Sequence, residues 1–146
     1  MMPEFDPRDL ALQSLSDYGR QLTRTLNGLS LEEARWMPDP RSNHILWILW
    51  HIGRMEDMWG WYIRGGGHSA WIEGGWAKRL GTDPDRNGNG DTIEEVRDFP
   101  SLSDEQVTSY WQASRELLIP TIKQLTVESV GLKHPEIWNQ KPDKSP

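Results

Sequence analysis

Cysteine is absent from the chain. That single absence excludes a disulfide framework, a zinc ribbon and a cysteine nucleophile. Positive charge is scarce too: 16 Lys and Arg stand against 22 Asp and Glu, a net charge of −6. Nucleic acids and anionic membranes both reward a basic face, so neither is expected as a partner. No long hydrophobic run exists, the longest being Ile45 to Trp50, which is too short to span a bilayer. The opening residues, Met1-Met2-Pro3-Glu4-Phe5-Asp6, lack a basic region followed by an apolar one, so no secretory signal is read and a cytoplasmic protein is expected.

Tryptophan is what the chain has in abundance, nine in 146 residues. Each indole buries roughly 150–250 Å², so the core can be substantial although hydrophobic residues make up only 36% and mean hydropathy is −0.72. The length suits one domain.

The pattern is helical throughout, with no strand signal. Asp6-Pro7 is a helix start, since the carboxylate caps and the proline loses no hydrogen bond in the first turn. Leu15, Tyr18, Leu22 and Leu26 follow at helical spacing, and Asn27-Gly28 stops the run. Ser30 to Glu33 is a capping box for a short helix that ends before Pro38. Ser42 or Asn43 is expected to cap the next helix, running to about Arg64, where three glycines end it. That helix is apolar over most of its circumference, leaving a narrow polar edge around Gly53, Glu56, Asp57 and Gly60. It must therefore be covered on most sides and reads as the central helix of a bundle.

A Trp-bearing segment from Ser69 to Leu80, weakened by Gly74-Gly75, leads into a loop from Gly81 to Asp91. Thr92 opens a further turn or two. Ser103 to Gln106 is a second capping box, opening a helix with Val107, Trp111, Leu118, Ile122 and Leu125, which Pro120 should kink. The domain reading is a bundle over residues 1–127 and a polar tail over 128–146. Three long helices are present and a fourth is not, although antiparallel bundles usually bury their stripes with four.

Several residues are candidates for chemistry. His51 shares the apolar face of the central helix with Trp47, Ile48, Met55, Met58 and Tyr62. A metal ion on one ring nitrogen and a hydrogen bond on the other would satisfy it there; so would a carbonyl or carboxylate in a purely structural role. Trp47, Met55 and Tyr62 are the expected pocket residues. His44 lies seven positions earlier, about 10 Å along the helix axis, too far to share an ion with His51; it is placed at the pocket rim. The segment Asp83 to Glu94 matches a calcium-loop pattern, with Asp83, Asp85, Asn87, Asp91 and Glu94 as ligands, but Gly90 stands where an apolar residue is usual and Pro100 follows closely. An ordinary solvated turn has the same composition. Trp47, Trp50, Trp59, Trp61 and Trp111 are expected in the core, with Trp36, Trp71 and Trp76 as possible walls of a pocket mouth.

The stretch Ala34-Arg35-Trp36-Met37-Pro38, followed by Ile45-Leu46-Trp47-Ile48-Leu49-Trp50-His51 and then Glu56-Asp57-Met58-Trp59, resembles the DinB-like (DinB/YfiT) superfamily. Thr92 to Val96, and Ser101 to Ser103 running into Tyr110-Trp111, look like the third-helix entry of that family. The resemblance covers roughly residues 8 to 127. It implies an all-α antiparallel four-helix bundle, often dimeric, holding nickel or zinc on three histidines. Characterised relatives include metal-dependent thiol transferases and isomerases. His51 matches the first ligand. The other two come from a His-x-x-x-His pair on the fourth helix, which this sequence lacks: after His51 only His68 and His134 remain.

A transition metal held tightly needs about three protein ligands. An uncovered central helix would expose an apolar face that soluble monomers rarely tolerate, so completion by a second copy of the chain is expected. Three readings follow. The first in rank is a dimeric bundle whose metal site is incomplete or lost. The second is a zinc- or nickel-dependent thiol transferase or hydrolase using His51 on a small-molecule substrate. The third is a calcium-binding loop on a helical scaffold.

Overall fold

The computed structural model describes residues 5–130, and every regular element among them is a helix. The order is α1 (Pro7–Leu26), α2 (Leu31–Ala34), α3 (Ile45–Ile63), α4 (Ala70–Glu73), α5 (Trp76–Leu80), α6 (Ile93–Arg97), α7 (Asp104–Lys123) and α8 (Val127–Val130). Three are long and the rest are of one or two turns, as the sequence pattern predicts. Of the tail expected over 128–146, residues 128–130 belong to α8, and the rest, including His134 and Trp138, lies outside the described residues.

Most boundaries fall where the capping residues put them. Asp6 accepts the amide of Arg8 at 2.8 Å with Pro7 in the first turn of α1. Ser30, Thr92 and Ser103 form reciprocal capping boxes with Glu33, Glu95 and Gln106. Gly74 and Gly75 split the Trp-bearing segment into α4 and α5. α7 continues through Pro120 to Lys123. One cap differs from expectation. Neither Ser42 nor Asn43 opens α3; His44 does, its Nδ1 accepting the amide of Trp47 at 3.1 Å. An imidazole can cap because its unprotonated nitrogen is an acceptor of the same kind as a serine hydroxyl.

α3 and α7 form the principal packed pair. Their close approach is set by glycine: a Cβ at Gly53 would stand 2.9 Å from the Tyr110 ring and 3.3 Å from the Trp111 backbone. Gly60 faces Leu118 in the same way, two turns on. α1 lies on α7 through Gly19, which meets Trp111 and Arg115. α4 and α5 cover α7 from another side, α4 touching α3 as well. The core between them is aromatic. Trp50 sits 5.2 Å from Phe99 and Trp71 packs edge-on against Tyr110 at 5.1 Å.

The polar edge read for α3 is corrected by this packing. Gly53, Glu56, Asp57 and Gly60 are buried, together with Arg54, while Ile48 and Trp59 are 40% and 45% exposed. The helix therefore points its glycines and acids inward and leaves part of its apolar surface outward. A helix apolar nearly all round gives no direction by hydrophobicity alone. Close helix–helix approach and internal hydrogen bonds decide its orientation instead.

Candidate functional site

His51 sits midway along α3, half-buried, with its ring stacked on Trp47 at 4.8 Å and an interplanar angle of 17°. Its Nδ1 lies 2.8 Å from the main-chain carbonyl of Asn87. A carbonyl can only accept, so Nδ1 carries the proton and donates. In the neutral ring Nε2 then keeps the lone pair.

The loop between α5 and α6 is built onto this face of α3. Trp47 Nε1 donates to Asp91 Oδ2 at 2.9 Å, and Arg86 binds the same oxygen from Nε and Nη2 at 3.0 and 2.7 Å. Arg86 Nη2 also donates to the carbonyl of Glu95 at 2.8 Å, tying the loop to α6. Gly88 is the point of closest approach. A side chain there would stand 2.4 Å from His51 Nδ1 and 3.1 Å from Trp47, and its φ of +89° is one that few other residues adopt.

Three of the five residues read as calcium ligands spend one side-chain oxygen on bonds within the loop or to α3. Asp91 is held by Arg86 and Trp47 as above, Asp83 Oδ1 accepts the amide of Asp85 at 2.8 Å, and Asn87 Oδ1 accepts that of Asn89 at 2.9 Å. Asp85 and Glu94 are exposed. Among the described residues, no three His, Asp or Glu side chains are grouped so as to hold a metal ion.

His44 does not line a rim. It is buried at 1% exposure, with Nδ1 capping α3 and Nε2 donating to the carbonyl of Val96 at 2.9 Å. Both nitrogens are spent on the fold. Burial pulls its pKa below the ordinary value, partly opposed by the bond to Val96. His68 is exposed and its Nδ1 pairs with Glu73.

The tryptophans divide differently from expectation. Trp47, Trp50, Trp61 and Trp111 are core residues, and so are Trp71 and Trp76, two of the three candidates for a pocket mouth. Trp59 was placed in the core but is 45% exposed, and Trp36 is 66% exposed. Trp71 is drawn in because its amide and its indole both find acceptors, Asp57 Oδ2 at 2.8 Å and the Pro84 carbonyl at 2.9 Å. Of the expected pocket residues, Trp47 and Met55 both meet the 83–91 loop, Met55 through Asn89. Tyr62 packs edge-on against Trp59 instead. Two open clefts, of about 790 and 890 Å³, lie elsewhere: one where the start of α1 meets residues 125–128, the other between α1 and the first half of α7.

Two acids that the sequence pattern puts on a polar edge of α3, Glu56 and Asp57, are buried and structural. Glu56 holds Arg115 of α7 with both oxygens at 2.7 Å and accepts Trp111 Nε1 at 3.2 Å. Asp57 takes Ser69 Oγ and the amides of Ala70 and Trp71 at 2.8 to 3.0 Å, capping α4 from a distance. Ser69 makes no cap bond of its own to that helix. The two carboxylates serve different partners, as neighbours pointing about 100° apart must. A signal was present in the sequence: glycines seven apart, flanking two acids, mark the contact side of a helix.

Comparison with known proteins adds two findings. The chain matches the family model of the DinB superfamily over residues 15–143. It also resembles a solved structure described as a conserved protein of locus from Enterococcus faecalis, at 22% identity and a TM-score of 0.76, covering 86% of this chain and 74% of that one. At that identity the likeness speaks for the fold alone. No match was found among proteins of curated function.

Proposed function

This chain belongs to the DinB superfamily, and from that premise we propose that it is a dimeric helical-bundle protein that works by binding, its metal site reduced to one donor, His51. The observation that carries this reading is the surroundings of that imidazole. An indole stacks on it, a glycine packs against it and a main-chain carbonyl takes its Nδ1 proton. A resident zinc or nickel ion needs about three protein ligands, and the described residues around His51 do not fit one. The dimer is supported by Ile48 and Trp59, large apolar side chains on one outward face of α3. With a net charge of −6 the partner is another protein copy or a small molecule, not nucleic acid, and the setting is the cytoplasm.

A second reading is favoured by one detail. Metal-ligating histidines commonly donate their other nitrogen to a carbonyl, which fixes the ring with its lone pair outward; His51 and Asn87 make that bond. On this reading the protein is a zinc- or nickel-dependent thiol transferase or hydrolase, with further donors from His134 or a second chain. The bound ion would supply activation of water or a thiol.

Calorimetric titration of chelator-treated full-length protein with zinc, nickel and calcium separates these readings. The first predicts no tight site for zinc or nickel. Stoichiometric binding of either, abolished by His51→Ala, would replace it with the second. Calcium binding abolished by Asp91→Asn would instead establish the 83–94 loop as an ion site.

A further inference from the structure

We propose that Asn89 is a site of spontaneous, sequence-directed deamidation, and that the fold directs the reaction there and away from its neighbour Asn87. Three Asn–Gly pairs occur in the chain: Asn27-Gly28, Asn87-Gly88 and Asn89-Gly90. In such a pair the main-chain nitrogen of glycine loses its proton and attacks the side-chain carbonyl carbon of asparagine. The new C–N bond closes a succinimide and the old one breaks, releasing the side-chain nitrogen as ammonia. Water then opens the ring at either carbonyl, leaving aspartate or isoaspartate. Glycine favours the attack because it places no Cβ in the way.

The three pairs differ in how freely that geometry can be reached. At Asn87 the side-chain oxygen accepts the Asn89 amide at 2.9 Å and the main-chain carbonyl accepts from His51 at 2.8 Å. Gly88 is buried against His51 and Trp47. Neither the electrophile nor the nucleophile can move without undoing those contacts. Asn27 is exposed, but it is the C-cap of α1, its own amide held by the Thr23 carbonyl at 3.1 Å. The Gly28 nitrogen must become an anion at the negative end of a helix dipole, which disfavours it.

Asn89 and Gly90 are both exposed, and beyond its chain neighbours nothing lies within 4 Å of the Cβ position of Gly90, as is also true of Gly28. The side chain of Asn89 has only a long contact from Nδ2 to the Met55 sulfur at 4.0 Å. The Asn89 main-chain amide is held by Asn87 Oδ1 much as the Asn27 amide is by Thr23, but only Asn27 stands at the C-terminal end of a long helix, so Asn89-Gly90 is the pair best placed to react. Its isoaspartate product adds a methylene to the main chain between Asn87, which holds His51, and Asp91, which holds Trp47. Modification at this position acts on the loop that covers His51.

The test is peptide mapping of the full-length protein after incubation at mildly alkaline pH, with a denatured sample alongside. Trypsin releases residues 87–97 as one peptide, and fragmentation assigns the mass gain within it. Conversion at Asn89 is expected to run at least about tenfold ahead of Asn87 in the folded protein, a protection of the size local contacts give. It should also lead Asn27, yield both acid isomers, and vanish in Asn89→Gln. In the denatured sample the three positions should converge. Conversion led by Asn27 or Asn87 in the folded protein, or no conversion while the denatured sample reacts, would overturn the proposal.

Discussion

His51 Nδ1 donates to the carbonyl of Asn87 at 2.8 Å, joining the middle of α3 to a loop 36 residues further along the chain. That bond, the indole of Trp47 on Asp91 and the Arg86–Asp91 pair hold the loop flat on the helix. The imidazole is thereby fixed in one tautomer, and the space beside Nδ1 is filled by backbone.

Gly88 makes this closure possible, so Gly88→Ala should disrupt it. The added Cβ would meet His51 Nδ1 at 2.4 Å in a backbone conformation of φ +89°. Strain of that kind costs about 1–3 kcal/mol. Chemical denaturation should show the loss, and tryptophan emission should shift as Trp47 loses its loop cover. An unchanged midpoint would mean that the loop does not pack as closely as described.

Stability should fall as the pH drops below the ordinary histidine value of 6.5, through His44. Its pKa is lowered in the folded state by burial. In the unfolded chain the imidazole takes up a proton near 6.5, while the folded protein resists it, so unfolding binds protons and acid favours it. His44→Asn should keep a side-chain cap on α3 and flatten the pH dependence. His44→Ala should lose the cap, at about 0.5–2 kcal/mol. Denaturant midpoints across the acid range read both effects.

Removing one member of the Glu56–Arg115 pair should be more damaging than removing both. The pair is 8% and 12% exposed and bidentate. Truncating one partner of a buried pair leaves an uncompensated charge, at about 3–5 kcal/mol. A double-mutant cycle with Glu56→Leu and Arg115→Met should show the double variant recovering part of that loss. Additive losses would mean that the pair contributes no mutual compensation.

Self-association should respond to Ile48 and not to its neighbours. Trp47 and Trp50 are 6% and 0% exposed, so charge at either tests folding. Ile48 is 40% exposed, and Ile48→Glu should leave the helical signal intact while halving the mass seen by sedimentation. A wild-type chain that sediments as a monomer would remove the dimer from the account.

Much of this fold is legible in the chain because caps and stops are local. Asp6, Ser30, Thr92 and Ser103 each bond an amide two or three residues away, and that spacing is written in the sequence. The inward face of α3 is not local. Glu56 is buried because Arg115 lies 59 residues away, and Asp57 because α4 starts nearby with two free amides. Hydrophobicity placed Trp59 inside and the two acids outside, and packing reversed both. His51 was identified from its flanking residues, but its partner, a main-chain carbonyl in a glycine-rich loop, carries no side-chain signature.

The most direct measurement is native mass spectrometry of the untagged full-length protein, reading assembly and bound metal in one spectrum. Two chains without stoichiometric zinc or nickel are expected. One zinc or nickel per chain, lost in His51→Ala, would contradict the account and place a working metal site at His51.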